Sequence, residues 1–103
     1  DIFKILLFQE EEFLNDVMNY LDSEWQNPNL CVDDFCSHLG LSNSQLYRKT
    51  KSLLQTSTNY LIQRHRLNKA IKLLIKKDMN ISEIAFETGF NSAAYFTKCF
   101  QKV

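Results

Sequence analysis

The sequence predicts an all-α fold in which two helix-turn-helix units are joined by a long central helix. Three observations support this prediction. The 103-residue chain has only two glycines and one proline, which favours helices with short connections. Its apolar residues recur three and four positions apart, the period of one helix face. The third observation is an internal repeat that places both glycines at the same point of a helix–turn–helix pattern.

The first helix is predicted to start at Glu10-Glu11-Glu12, because acids are favoured near the positive N-terminal end of a helix. Four apolar residues then follow four apart: Phe13, Val17, Leu21 and Trp25. The apolar run Ile2–Phe8 fits a preceding helix, a linker packed on this domain, or a contact to a sister subunit. We therefore assign residues 1–9 to a linker or interdomain segment and residues 10–103 to the domain.

A first helix-turn-helix unit is predicted at about residues 31–54. Its first helix has an apolar face of Val32, Phe35, Cys36 and Leu39, and Gly40 is the turn. Ser42 then caps the second helix, with Gln45 three residues later as its reciprocal partner. Leu46 and Leu53 are expected on the inner side of this helix.

The long central helix is predicted at about residues 57–77, with Ser57 as its cap. A helix of about 18–20 residues spans roughly 27–30 Å. A straight helix of this length can hold two such units about one DNA turn (~34 Å) apart.

The second helix-turn-helix unit is predicted at about residues 80–102. Asn80 and Glu83 form its capping box, and Gly89 is the turn. Residues 32–41 match residues 81–90 with a shift of 49. Because unrelated helical hairpins rarely coincide in this way, the sequence predicts two units of one kind in a single domain.

A net charge of zero conceals a strong asymmetry along the chain. Residues 1–41 contain nine acids and one base, whereas residues 42–103 contain eleven bases and three acids, which gives −8 and +8. Either the second part binds a polyanion, or the two parts neutralise each other within the fold.

The sequence offers no catalytic, metal or cofactor site. Its three cysteines are odd in number and lack C-x-x-C spacing, and His38 and His65 are isolated. No nucleophile–base pair, paired catalytic acids or glycine-rich phosphate loop can be assembled. No apolar run approaches the ~20 residues of a membrane span. We therefore expect a non-enzymatic domain in a reduced, cytoplasmic setting.

The chain resembles the DNA-binding domain of the AraC/XylS family of bacterial transcription regulators. The resemblance is carried by residues spread over about 10–103: Phe35-Cys36, Leu39-Gly40-Leu41-Ser42, Leu46, Tyr60-Leu61, Arg66-Leu67, Ala70, Leu73-Leu74, Ile81, Ile84-Ala85, Gly89-Phe90, Tyr95-Phe96 and Phe100. It implies about seven helices, two recognition helices in consecutive major grooves of double-stranded DNA, no enzymatic chemistry, and a structural role for Arg66.

The string Ser44-Gln45-Leu46-Tyr47-Arg48-Lys49 is similar to versions that end response regulators and hybrid two-component sensors. This similarity implies fusion to an upstream sensory or receiver domain. It leaves open a contact with RNA polymerase and a homodimer in the full-length protein.

The chain departs from the family pattern in three places. Gln55-Thr56-Ser57-Thr58 stands where the family usually has Gly-x-Ser-Pro, so a left-handed helix end lacks its glycine. Thr50 replaces a bulky apolar residue, and Cys31 stands where the family prefers a Ser or Thr cap.

Helix geometry selects the candidate contacts to bases. With Leu46 and Phe96 facing inward, the base candidates on the outward side are Ser44, Tyr47 and Arg48 in the first unit and Ala94, Thr97 and Lys98 in the second, with Ala93 nearer the edge of the core. Arg48 can bind guanine O6 and N7 with two hydrogen bonds, or contact a phosphate, or remain solvated. Lys98 can contact guanine or a phosphate.

The remaining candidates are phosphate contacts: Ser42, Lys49, Lys51, Asn91, Ser92 and Lys102. The residues at the two helix starts, Ser42, Asn91 and Ser92, can anchor phosphates together with backbone N–H groups, but capping alone also explains them.

The sequence leaves a second class of function open, that of a helical protein-interaction module that has lost DNA binding. The apolar run Ile2–Phe8 and the paired alanines Ala93 and Ala94 favour it, whereas Arg48 and the basic second part favour DNA.

Overall fold

The computed structural model describes residues 1–76 and 79–102. Within these ranges the chain forms six helices and no strand: α1 (Ile2–Glu24), α2 (Val32–Leu39), α3 (Asn43–Leu54), α4 (Thr58–Lys76), α5 (Ile81–Glu87) and α6 (Ala93–Gln101). The predicted all-α fold is confirmed, with six helices in the described part against the implied seven or so. We call α2–α3 the first head and α5–α6 the second head. In the same ranges, no helix combines the length and apolar character that a membrane span requires.

Helix α1 begins at Ile2, and the predicted start at Glu10 is wrong. Asp1 caps the helix, since its Oδ1 accepts hydrogen bonds from the backbone N–H groups of Phe3 at 2.7 Å and Lys4 at 3.3 Å. No Gly or Pro interrupts residues 2–24, so the helix propagates through the acidic run. The apolar run Ile2–Phe8 is thus the first two turns of α1, with large apolar side chains that are 44–78% exposed.

Helix α4 contributes to two separate hydrophobic cores. The first core contains Phe13, Val17, Leu21, Leu30, Phe35, Leu46 and Ile62. The second contains Leu67, Ala70, Ile84, Ala85, Phe90, Phe96 and Cys99. Because Ile62 belongs to one core and Leu67 to the other, α4 connects the two heads and changes core within about a turn and a half.

The predicted helix caps are confirmed. Ser42 Oγ accepts from the Gln45 N–H at 3.1 Å while Gln45 Oε1 accepts from the Ser42 N–H at 2.9 Å. Asn80 and Glu83 form the same reciprocal pair. Ser57 Oγ accepts from the Tyr60 N–H at 3.2 Å at the start of α4. The predicted end of this helix, at residue 77, lies outside the described residues.

Two of the departures from the family pattern, at Gln55 and at Thr50, lie at the end and in the core of the first head. Gln55 ends α3 with φ 59°, the left-handed conformation that favours glycine. Thr50 is fully buried, and its hydroxyl lies 3.5 Å from that of buried Thr58. The two hydroxyls therefore provide each other with a hydrogen-bond partner inside the core.

Candidate nucleic-acid interface

The three candidate base contacts of the first head lie together on the outer surface of α3. Ser44, Tyr47 and Arg48 are all exposed, and with Asn43 they line one open depression. Leu46, on the opposite face, is fully buried. Burial of Leu46 therefore fixes the rotation of α3, and this rotation turns the three side chains outward.

The described Lys and Arg side chains of residues 42–103 form no ion pairs with acidic side chains. Across residues 1–76 and 79–102, no Lys or Arg nitrogen lies within 4.0 Å of a carboxylate oxygen, and the one close contact with a carboxylate involves a histidine, His65 with Asp22. Internal neutralisation was the alternative explanation of the charge asymmetry. Without such ion pairs, the exposed Lys and Arg side chains in the described part of residues 42–103 remain available to an external polyanion.

The phosphate candidates of the first head occupy different surfaces. Lys51 is exposed on the outward side of α3. Lys49 instead lies against α1, with its Nζ 5.2 Å from the centroid of the Phe13 ring. The Ser42 hydroxyl already accepts the Gln45 N–H. Lys49 therefore lies outside the depression on α3, and it shares with Arg48 a separate groove between α1 and α3.

The outward face of α6 is less polar than that of α3. Ala94, Thr97 and Lys98 are exposed, whereas Ala93 is half-buried near the edge of the core. The Thr97 hydroxyl donates to the Ala93 carbonyl oxygen at 2.9 Å, so its proton is used within the helix. Lys98 is the single charged side chain among these four candidates.

The phosphate candidates of the second head are divided between the two ends of α6. Asn91 and Ser92 are exposed at its start, where the Ser92 Oγ accepts the Tyr95 N–H at 3.1 Å. Lys102, at the other end, lines a cleft between α6 and α4 together with Arg64. Lys102 is thus placed beside a second cation and away from the helix start.

Asn43 on α3 and Tyr95 on α6 are also exposed on the recognition helices, although the sequence did not predict them as DNA contacts. Asn43 lies beside Ser44, and its Oδ1 accepts the Cys36 thiol at 2.9 Å, which keeps its amide N–H₂ as a donor. Tyr95 accepts a 2.6 Å hydrogen bond from Gln63 on α4, and burial raises the pKa of its phenol. The position of Asn43 directly after the Ser42 cap indicates its role, whereas no sequence pattern pairs Gln63 with Tyr95.

A metal centre is not formed by the part of the chain that the structure describes, where no three His, Cys, Asp or Glu side chains are grouped to hold an ion. The cysteines Cys31, Cys36 and Cys99 are free thiols. Exposed Cys31 lies at the start of α2, where its backbone N–H donates to Asp34 Oδ2 at 3.0 Å and its thiol lies 3.4 Å from the same oxygen. Cys31 is therefore the N-cap residue of α2, at the position where the family pattern has a Ser or Thr.

Comparison with known proteins gives one consistent family. A family model described as a helix-turn-helix domain matches residues 35–103. The chain is 36% identical over 93 residues to histidine kinase P4 of Formosa agariphila, covering 90% of this chain and 7% of that protein. It is 33% identical over 93 residues to the probable transcription factor PqrA of Proteus vulgaris, covering 89% of this chain and 76% of that protein.

Among solved structures, the C-terminal domain of AraT, a response regulator from Geobacillus stearothermophilus, superposes with a TM-score of 0.81 at 27% identity, covering 87% of this chain and 74% of that chain. The chain thus corresponds to most of one relative and a small part of another. With two capped helix-turn-helix units on one central helix, and with this family match, the chain belongs to the AraC-type helix-turn-helix family of DNA-binding transcription regulators.

Proposed function

We propose that the chain binds double-stranded DNA sequence-specifically, with α3 and α6 lying in two consecutive major grooves. The observation that carries the proposal is the depression on α3, where Ser44, Tyr47 and Arg48 are exposed together around a helix whose other face is buried. A recognition helix needs this arrangement of outward polar side chains on a rigid support.

Arg48 is the principal base contact in this proposal. Its guanidinium carries donors in a fixed fork that matches O6 and N7 of guanine. Among the described residues, no carboxylate oxygen lies within 4.0 Å of its nitrogens. Ser44 and Tyr47 line the same depression as Arg48, where they can contact neighbouring bases or a thymine methyl group. The first head therefore supplies most of the sequence preference.

The second head contributes close approach and one charge. Ala93 and Ala94 have small side chains that allow α6 to lie deep in a groove and to meet thymine methyl groups. Lys98 then contacts guanine or a phosphate. Because the Thr97 hydroxyl donates within the helix, this side chain offers DNA an acceptor and a methyl group.

Affinity, in contrast to preference, comes from contacts to the DNA backbone. Ser42, Asn91 and Ser92, with the N–H groups at the starts of α3 and α6, are proposed phosphate anchors. Lys49, Lys51 and Lys102 add positive charge and hence salt dependence. The domain acts by binding, without chemistry of its own, in the cytoplasm where bacterial DNA lies.

The test is a binding titration by fluorescence anisotropy, with a duplex selected from a random pool and with a scrambled duplex. We expect binding to both at low salt and a linear fall of log affinity with log salt concentration. The selected duplex should remain at least about 1,000-fold preferred at physiological salt. Salt-independent binding, or no preference after selection, would refute the proposal.

We further propose that this domain is the output part of a longer regulator. The relatives include a histidine kinase of which the chain spans 7%, and AraT is a response regulator of which the C-terminal domain is similar. Helix α1 extends without a break through residues 2–9, so these residues suit a helical connection to a sensory or receiver domain. Hydrogen exchange of residues 2–9 should be slower in the longer protein than in the isolated chain.

A protein-interaction module is the second candidate, and the exposed apolar start of α1 favours it. Six of residues 2–8 are large apolar side chains that remain exposed. We propose contacts of the full-length protein with RNA polymerase or with a second copy as additions to DNA binding, so they do not distinguish the two candidates. The interaction module instead predicts a bound protein partner in the absence of salt-dependent DNA binding, so the same titration separates the two.

A further inference from the structure

The two heads are connected at a second place besides α4. The end of α1 and the turn after it, residues 25–27, lie against the turn of the second head. Residues 25–27 lie between Leu21 and Leu30, which both belong to the core of the first head. We call the contact of Trp25, Gln26 and Asn27 with Arg66, Glu87 and Gly89 the junction.

Arg66 is the centre of the junction. Its side chain is 7% exposed, Nε donates to the Trp25 carbonyl oxygen at 2.9 Å, and the terminal NH2 nitrogen donates to the Asn27 carbonyl oxygen at 2.7 Å. These two oxygens belong to the turn that ends α1. A planar guanidinium with two bonds to fixed backbone atoms determines both distance and direction.

Gly89 closes the junction from the side of the second head. A Cβ atom at this position would lie 2.7 Å from the Trp25 carbonyl oxygen and 2.9 Å from Arg66 Nε. The backbone of the second head therefore approaches the turn after α1 more closely than any side chain would allow. Gln26 adds a third contact, since its Nε2 donates to the Glu87 carbonyl oxygen at 3.3 Å.

The position of the junction along α4 determines what it can control. Arg66 lies between Ile62, in the first core, and Leu67, in the second. A single helix connecting two cores resists bending, but rotation and tilt of one core against the other are limited only by packing. Bonds from this point to the end of α1 fix the second head relative to the first.

We propose that Arg66 and Gly89 are positioning residues that fix the relative placement of α3 and α6, and so determine which spacing of two DNA half-sites is bound. The part of the proposal that concerns the spacing of DNA half-sites rests on the proposed function. Neither residue lies among the candidate DNA contacts, so their effect on DNA is indirect. The second recognition helix, α6, reaches the major groove of its half-site at the correct distance from α3 only while the junction is intact.

The first experiment does not use DNA. Amide residual dipolar couplings of α2–α3 and of α5–α6 are measured in the wild type and in the variants Arg66→Met, Arg66→Lys and Arg64→Met. We expect one alignment tensor to fit both heads in the wild type and in the Arg64→Met control, which alters an exposed arginine of the same helix. Arg66→Met should require two different tensors, and in Arg66→Lys the tensors of the two heads should differ less than in Arg66→Met. One tensor for folded Arg66→Met would overturn the proposal.

The second experiment uses a duplex with two selected half-sites, duplexes with the spacing changed by one base pair, and a duplex with one half-site scrambled. In the wild type we expect a one-base-pair change to reduce affinity about tenfold or more, toward that of the scrambled duplex. Arg66→Met should reduce this preference to within about threefold and keep single-site affinity. Arg64→Met, which removes the same charge, should retain the preference.

Each outcome has one meaning. A wild-type spacing profile in folded Arg66→Met overturns the proposal, as does an equal loss of preference in Arg64→Met. If Arg66→Met does not fold, Arg66→Lys and Gln26→Ala, which alters an exposed side chain, replace it, and unchanged profiles in both overturn the proposal. A wild type that binds no duplex refutes the proposed function instead, whereas the dipolar couplings still report on the junction.

Discussion

The two heads follow one backbone plan but use their turn glycines for different purposes. Gly40 and Gly89 both have positive φ, 68° and 86°. A Cβ atom at Gly40 would have no neighbour within 4 Å, whereas at Gly89 it would overlap two atoms of the junction. The first turn therefore requires glycine for conformation alone, and the second requires it for conformation and for close approach.

The outward faces of the two heads also differ, and here the first head has the more polar surface. The first head presents Ser44, Tyr47 and Arg48 around one depression, and the second presents two alanines and Lys98. The internal repeat has preserved caps, turns and core positions but not surface chemistry. We propose a division of labour in which one head supplies preference and the other is held in place by the rest of the domain.

The largest expected effect concerns the two glycines. Gly40→Ala should lower the free energy of unfolding by about 1–2 kcal/mol, the cost of an L-residue in the left-handed region. Gly89→Ala should cost about 1–3 kcal/mol more, because the methyl group meets the Trp25 carbonyl oxygen and the buried Arg66. Urea denaturation of both variants measures the difference. Equal losses would show that the second turn adjusts and that the comparison between the glycines fails.

The next effect concerns the two recognition helices. Arg48→Ala should weaken binding to the selected duplex by about 1–3 kcal/mol and relax the preference at one base pair. Lys98→Ala should weaken binding to selected and scrambled duplexes by similar, smaller amounts, as expected for a charge near phosphates. Equal losses for Arg48→Ala on both duplexes would remove its role in base contact and would make the two heads alike.

The sequence predicted these similarities better than the differences. The repeat, the caps at Ser42 and Asn80 and the central helix depend on residues close together in the chain, where propensity and periodicity determine the structure. The start of α1 was predicted wrongly because acids at Glu10 suggested a helix end, although no Gly or Pro interrupts the helix between Ile2 and Glu10.

The junction was beyond sequence reasoning for a different reason. Arg66 is separated from the Trp25 carbonyl oxygen by 41 residues, and the acceptors are backbone oxygens that every residue has. The resemblance predicted that Arg66 is structural, and its burial confirms this. Which oxygens it binds depends on how two cores pack, and no pattern in the chain records that.

A smaller effect is expected where the ends of the two recognition helices differ. Gln55 ends α3 with φ 59°, whereas Lys102 ends α6 with φ −85°. Gln55→Gly should therefore raise the free energy of unfolding by up to about 1 kcal/mol, which corresponds to roughly 4–8 °C in Tm for a domain of this size. Lys102→Gly should not stabilise, because no left-handed strain is relieved there. A stabilised Lys102→Gly would contradict this account of the helix ends.

The smallest effect is the pH dependence of stability that His65 contributes. Burial lowers the pKa of His65 below its usual value, the nearby Lys69 and Lys72 add to the shift, and Asp22 opposes it. His65 Nε2 lies 3.1 Å from Asp22 Oδ1 but lacks hydrogen-bond geometry. Below a pH of about 6.5 the unfolded chain binds a proton that folded His65 resists, so stability falls from there to the lowered pKa and then levels off.

His65 packs edge-on against Trp25, at the end of α1 beside the junction, whereas His38 is exposed in the first head and stacked on Tyr20. His65→Gln should reduce the loss of stability between pH 7 and pH 5, because glutamine does not bind a proton in this range. Thermal unfolding of the wild type and the variant in a series of buffers measures the difference. A folded His65→Gln variant that retains the full wild-type loss would show that the end of α1 is not the point where protonation weakens the domain.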